Sequence, residues 1–200
     1  FASVTDSRNV TASSLMGHGT NLQIAQIGPD YNANQTATLI DNFNDYSYIF
    51  SKSANLTLDS QVPEYFLGDT SRLTRTALTK DFIIYKTKGD IRRFIVDAFY
   101  YPGDTMDDFL FYVSPDNVNY TQITPLRNAP QYTNWQKVQY DDGQIPAGNR
   151  YLKIVFNKTT GQQWTPQLSR LLIKYASNTT TDSLVDWSKT YAHTSGLALD

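Results

Sequence analysis

The stretch "RYLKIVF" at residues 150–156 decides the fold. In an extended chain Leu152, Ile154 and Phe156 project to one side, and Tyr151, Lys153 and Val155 to the other. "FLFYVSPD" at 109–116 repeats the pattern. There Phe109, Phe111 and Val113 oppose Leu110, Tyr112 and Ser114, and a Ser-Pro-Asp turn closes the run. One side of each stretch reads as core and the other as wet or half-wet, as in an antiparallel sheet with one solvated face.

Further strands lie on both sides of these two. "DFIIYKT" and "IRRFIVDAFYY" flank the turn "KGD"; "SRLTRTAL" alternates about Leu73; "YTQITPL", "WQKVQY" and "QLSRLLIKYA" follow. The breaks "PDNVN", "RNAPQYTN", "DDGQIPAGN" and "NKTTGQQWTP" are rich in Gly, Pro, Asn and Asp. About ten short strands at regular spacing, with no 3.6-residue periodicity, predict an all-β fold. The expected architecture is an antiparallel β-sandwich of jelly-roll type over 39–176.

The flanks read differently. Residues 1–38 are Ser/Thr/Asn/Gly-rich and hold one expected strand, "NLQIAQIG" (21–28), before a linker; they are expected to be the tail of a preceding region. The end of the chain looks back to residues 39–59. Leu184-Val185-Asp186 matches Leu39-Ile40-Asp41, Trp187 matches Phe43, and Leu197, Leu199 and Asp200 match Leu56, Leu58 and Asp59. Residues 177–200 are therefore expected to be a linker and the truncated start of a second copy. The chain begins on Phe1 without a signal peptide, as expected of a piece of a longer protein.

Composition narrows the function. The net charge is -2 and there is no run of basic residues, so the footprint of a nucleic-acid binder is missing. No apolar run approaches the length of a membrane helix. The absence of Cys removes disulfides, thiolate metal sites and a Cys nucleophile, and for a loop-rich extracellular module it leans toward a bacterial origin. The only histidines, His18 and His193, lie outside 39–176, so a Ser-His-Asp or His-metal site within the module is excluded. Asp104, Asp107, Asp108, Asp141 and Asp142 read as turn residues rather than as a catalytic carboxylate pair, and Glu64 is the only glutamate.

What remains points to binding. Trp135 in "YTNWQKV" and Trp164 in "TGQQWTPQ" lie among polar loop residues. Each is placed either to plug the sandwich or to stack on the apolar C–H face of a pyranose. Tyr101, Tyr112 and Tyr132 carry the same argument less strongly. Arg75, Asp97 and Lys153 read as charges at strand centres on the non-core side, where they either pair across strands or meet sugar hydroxyls or a uronate. Oxygen-rich turns at "DNFND" and "LGDTS" make Asp41 and Asp69 candidate ligands for a structural Ca2+.

The segments "LIDNFNDYS", "YFLGDTSRLTRT", "IRRFIVDAFYY", "FLFYVSPDNVNYTQI" and "RYLKIVF" together resemble non-catalytic carbohydrate-binding modules of bacterial secreted polysaccharide hydrolases and lyases, of the galactose-binding-like sandwich type. The resemblance implies a β-sandwich, often one structural Ca2+, and a saccharide site on the concave sheet or at the loop edge. It also implies covalently linked catalytic or binding neighbours and secretion; it fixes no binding residue. The expected function is polysaccharide binding that targets an attached hydrolase or lyase. The alternative is a structural or adhesive spacer of a bacterial surface protein, with an enzyme ranked last.

Overall fold

The computed structural model describes residues 2–5, 11–16, 23–27, 36–105, 108–128, 131–132 and 134–177. His18, Asp107, His193 and the matching segment 184–200 lie outside the described residues. The chain divides into two compact units, and Thr36–Ala176 is the larger.

In the smaller unit β1 (Ala2–Thr5), β2 (Thr11–Met16) and β3 (Gln23–Ile27) form an antiparallel meander, with an irregularity between Leu15 and Met16. Only β3 is expected from sequence. "ASVT" and "TASSLM" lack alternating large apolar residues, so they carry no strand signal despite pairing as strands.

The larger unit is an antiparallel β-sandwich of jelly-roll type. Its elements are β4 (Thr36–Asp41), β5 (Ser51–Lys52), β6 (Leu56–Asp59), a 3-10 turn (Pro63–Phe66), β7 (Arg72–Arg75), β8 (Asp81–Lys86) and β9 (Ile91–Tyr100). Then follow β10 (Phe109–Ser114), β11 (Thr121–Ile123), β12 (Leu126–Arg127), β13 (Gln131–Tyr132), β14 (Gln136–Asp142), β15 (Tyr151–Phe156) and β16 (Gln167–Ala176). One sheet has the order β11-β10-β15-β8-β5. The larger sheet runs β12-β14-β9-β16-β7-β6, with β13 also on β14 and β4 also on β16. The first and last strands thus pair, in a register that sets Thr36 opposite Ala176. No helix among the described residues is long and apolar enough to cross a membrane.

The inward positions are those the alternation predicts. Phe109, Phe111 and Val113 of β10 and Leu152, Ile154 and Phe156 of β15 are buried with Ile83 and Tyr85 of β8. They meet Phe94, Val96, Ala98, Val138, Leu168, Leu171 and Ile173 from the larger sheet. Rings bridge the two layers: Phe94 stacks on Phe111 at 5.4 Å, and Phe111 meets Tyr140 at 5.0 Å. Each such side chain contributes roughly 1.5–3 kcal/mol by leaving water.

Two features depart from simple alternation. All four residues of β7 are buried, because its outer side is also covered. Arg72 lies under the 3-10 turn with its guanidinium 3.7 Å from the Phe66 ring centroid, and Thr74 donates to the Trp164 carbonyl at 3.3 Å. In the "KGD" turn, Gly89 is obligatory for a packing reason. A Cβ built there would overlap the Ala176 carbonyl oxygen at the end of β16, while the Ala176 N–H donates to the Asp90 carbonyl at 2.8 Å.

Candidate functional site

The predicted aromatic residues divide between interior and surface. Trp135 is only 7% exposed and packs against Phe66 at 4.6 Å and near Phe99, on the outer side of the larger sheet. Trp164 is half-buried against the same cluster, 5.4 Å from Trp135. Tyr101 is exposed and meets both indoles edge-on, at 5.8 and 5.1 Å. Trp135 is thus a plug over an end of β9, while Trp164 and Tyr101 beside it stay partly open. Tyr132 belongs to β13, and nothing is described of its side chain.

Arg75, Asp97 and Lys153 do not share a face, which corrects the sequence reading. Arg75 of β7 is buried and donates to the carbonyls of Lys158 (2.6 Å), Thr165 (3.1 Å) and Thr79 (3.2 Å). It clips the 157–165 loop to the strand, and burial pulls its pKa down while Asp108 and Asp81 oppose that shift. Asp97 of β9 is buried too, accepting from Gln139 Nε2 at 2.9 Å and pairing with Lys137 at 3.3 Å. Lys153 stands on the other sheet. The sequence misleads here because short Arg-containing strands look solvated, whereas loops far along the chain cover this one.

Asp41 and Asp69 stand where the turns place them, and each carboxylate is held by protein donors. Asp41 Oδ1 accepts the Phe43 N–H at 2.7 Å and Oδ2 accepts the Tyr85 hydroxyl at 2.8 Å. Asp69 Oδ1 accepts the Ser71 N–H at 2.9 Å and Oδ2 the Ser169 hydroxyl at 2.6 Å. The nearby carbonyls are engaged as well: Phe43 by the Ser71 hydroxyl and Asp69 by the Arg72 guanidinium, which already supplies positive charge. Among the described residues no three His, Cys, Asp or Glu side chains gather as a metal site. Asp104 ties the loops together, accepting from Lys158 Nζ at 3.0 Å and the Thr165 hydroxyl at 2.6 Å. Asp141 pairs with Arg93, and Asp142 caps its own turn at Gln144.

What the fold does collect is the outer face of the five-stranded sheet. The register places Tyr112, Lys153 and Ile84 in one cross-strand row, and Leu110, Val155 and Phe82 in the next. Beyond Lys153, Tyr151 lies beside Lys86. At the β5 edge Phe50, 49% exposed, meets Tyr151 edge-on at 5.6 Å. At the β11 edge Tyr120 donates its hydroxyl to Asn117 at 2.6 Å and presents its ring to Lys153. Lys153 Nζ lies 4.8 Å from the Phe82 centroid and 5.1 Å from that of Tyr120. Lys86 Nζ lies 5.3 Å from Phe50 and 5.6 Å from Tyr151. The result is a sheet surface of half-exposed rings and aliphatic groups carrying two ammonium groups.

Of the predicted residues only Tyr112 and Lys153 belong to this face. Phe50, Phe82, Tyr120, Tyr151 and Lys86 are missed by sequence reading. For Phe82, Lys86 and Tyr151 the signal is the alternation itself, since each outward position of β8 and β15 follows from the inward set, whereas Phe50 and Tyr120 lie just outside strands. The row across strands depends on register, which no single strand reveals.

Two open depressions adjoin β11 and β12. One, of about 830 Å³, is lined by Arg92, Arg93, Leu126, Asp141, Gly143 and Pro146, and its Arg93 is held by Asp141. The other, of about 330 Å³, lies among Phe109, Phe111, Ile123, Pro125 and Tyr140. Neither gathers any residue expected to bind.

No family model matches the chain, and no curated protein does. Among solved structures it is similar to a CBM35 from Paenibacillus barcinonensis, at 14% identity and a TM-score of 0.41, over 68% of this chain and 97% of that one. It is also similar to the K1 cleaved adhesin domain of Lys-gingipain from Porphyromonas gingivalis W83, at 12% identity and a TM-score of 0.43, over 70% of this chain and 99% of that one.

Proposed function

We propose that residues 36–176 form a non-catalytic module that binds a polysaccharide along the outer face of its five-stranded sheet, and that it targets an attached hydrolase or lyase outside a bacterial cell. The observation that carries this reading is the group of partly exposed rings Tyr151, Phe82 and Tyr112 on the outer face of this sheet, with Phe50 and Tyr120 at its edges. A pyranose has an apolar C–H face that lies flat on such rings, and its equatorial hydroxyls remain free for polar groups at the rim. Spread over neighbouring strands, the rings give an extended polymer several contacts. The carboxylates described above are committed to turns and loop ties. Weak binding by one module is multiplied when copies are linked, through effective concentration.

The test is affinity electrophoresis through gels containing a panel of soluble polysaccharides. The chain should be retarded by at least one, and Phe50→Ala and Tyr151→Ala should relieve the retardation with melting temperature unchanged. If no polysaccharide retards the chain, the module is a spacer or adhesive segment.

A further inference from the structure

We propose that Lys86 and Lys153 make this face selective for an anionic polysaccharide, one bearing carboxylate or sulfate groups; the inference rests on the sugar-binding reading above. Elsewhere in the larger unit, five basic side chains are matched with acids, while Lys52 lies over the Tyr46 ring at 4.5 Å. Lys137 pairs with Asp97, Lys158 with Asp104, Arg93 with Asp141, Arg150 with Asp90 and Arg72 with Asp59. Lys86 and Lys153 have no ion pair among the described residues and rest on rings instead.

That difference has a chemical meaning. Each ammonium is steered by two ring faces, an attraction that holds a cation within about 6 Å of a centroid without occupying its hydrogen-bond donors. The charge is therefore positioned in advance, and the donors stay open to an incoming acceptor. The outward positions of β8, β10 and β15 carry no Asp or Glu, so nothing on the sheet competes for them. In the adjoining turn Asp116 is turned to its own loop: it accepts from the Val118 and Asn119 N–H groups at 2.9 and 2.8 Å and from Asn119 Nδ2 at 2.7 Å. These bonds hold its carboxyl far below the usual carboxylate range.

The register makes the pair a unit. Lys86 lies opposite Tyr151, and Lys153 is two residues further along β15, so the lysines are diagonal neighbours. Diagonal partners in an antiparallel pair stand about 7–8 Å apart. The Lys86 ammonium lies against Phe50 and Tyr151 and that of Lys153 against Phe82 and Tyr120, so a sugar stacked on any of these rings has an ammonium group beside it. A chain whose overall charge is -2 attracts such a polymer only through a local patch of this kind. Two lysines are too few for the footprint of a nucleic-acid binder.

The experiment compares the full chain with a Lys86→Met, Lys153→Met double variant, which keeps the aliphatic packing, and with a Lys86→Arg, Lys153→Arg variant, which keeps the charge. Probes are polygalacturonate and alginate for carboxylate, dextran sulfate for sulfate, and dextran as a neutral polymer. The parent should bind an anionic probe at low salt and weaken as salt rises. The Met variant should bind it about tenfold more weakly, as expected for two exposed charge contacts, and the Arg variant should restore binding. The stronger of the uronate and sulfate arms identifies the anion. Binding of dextran as tight as that of the anionic probes, or a Met variant equal to the parent, overturns the selectivity and leaves the sugar-binding reading intact. Failure of every probe, and of every neutral polysaccharide in the wider panel, overturns both.

Discussion

Tyr85 donates its hydroxyl hydrogen to Asp41 Oδ2 across 2.8 Å inside the sandwich, where Tyr85 is fully buried and Asp41 is 2% exposed. The bond links β8 of one sheet to β4 of the other. Tyr85→Phe keeps the ring and leaves a buried carboxylate oxygen without its donor. We expect a loss of about 1–3 kcal/mol in denaturant unfolding, the usual cost of an orphaned buried polar group.

The same pair sets a pH dependence. Burial raises the Asp41 pKa above the ordinary carboxylate value, Asp45 adds to the rise, and the Phe43 N–H and Tyr85 hydroxyl partly oppose it. A carboxyl whose folded pKa lies above its unfolded one favours the fold when protonated. Its contribution is complete below the unfolded value and is lost as pH climbs through the raised folded value. The stability of the parent relative to Asp41→Asn should therefore increase as pH falls through that window. Paired melting curves from neutral pH down to the acid limit of folding provide the check, and a parallel or opposite trend contradicts the assignment.

The hydrogen bonds at Asp41 and Asp69 bear on calcium as well. Each carboxylate already accepts from two protein donors, and the Arg72 guanidinium adjoins Asp69. Melting curves in chelator and in excess Ca2+ are expected to coincide. A clear rise with Ca2+ would mean that an ion displaces these donors and stabilises the fold by mass action.

Trp135 and Tyr112 should respond in opposite ways to truncation. Trp135→Ala empties a buried ring site against Phe66 and Phe99 and should cost about 3–5 kcal/mol of stability. Tyr112→Ala, on the open face, should leave melting nearly unchanged and weaken polysaccharide binding. Thermal unfolding and affinity electrophoresis on both variants separate the two roles.

Gly89→Ala should destabilise the module through backbone overlap rather than conformation. The added methyl runs into the Ala176 carbonyl, so the turn or the end of β16 must shift. We expect a loss of about 1–3 kcal/mol, the range of overpacking, with amide exchange accelerated first at Ala176.

How much of this is legible in the sequence depends on distance along the chain. The inward sets of β10 and β15 follow from period-two alternation within six residues, and the structure places them in the core. The burial of Arg72 and Arg75 is invisible locally, because the covering groups come from residues 61–69 and 157–165. Trp135 misleads for a related reason: its polar neighbours describe the loop, whereas its environment is set by Phe66, far upstream. The platform residues on β8, β10 and β15 are individually predictable as outward-facing, whereas Phe50 and Tyr120 precede β5 and β11 and carry no such signal. Their union into one surface requires the order β11-β10-β15-β8-β5, which brings together segments that the sequence keeps apart.

The pairing of Thr36 with Ala176 also has a mechanical consequence. Chain enters and leaves the module at neighbouring points of one antiparallel ladder. Tension transmitted through the polypeptide then loads the terminal bonds of β4 and β16 singly, as a zipper is drawn, instead of stretching the whole ladder in parallel. A module anchored this way should yield at low force by shedding β4, with the five-stranded sheet and its rings intact behind it.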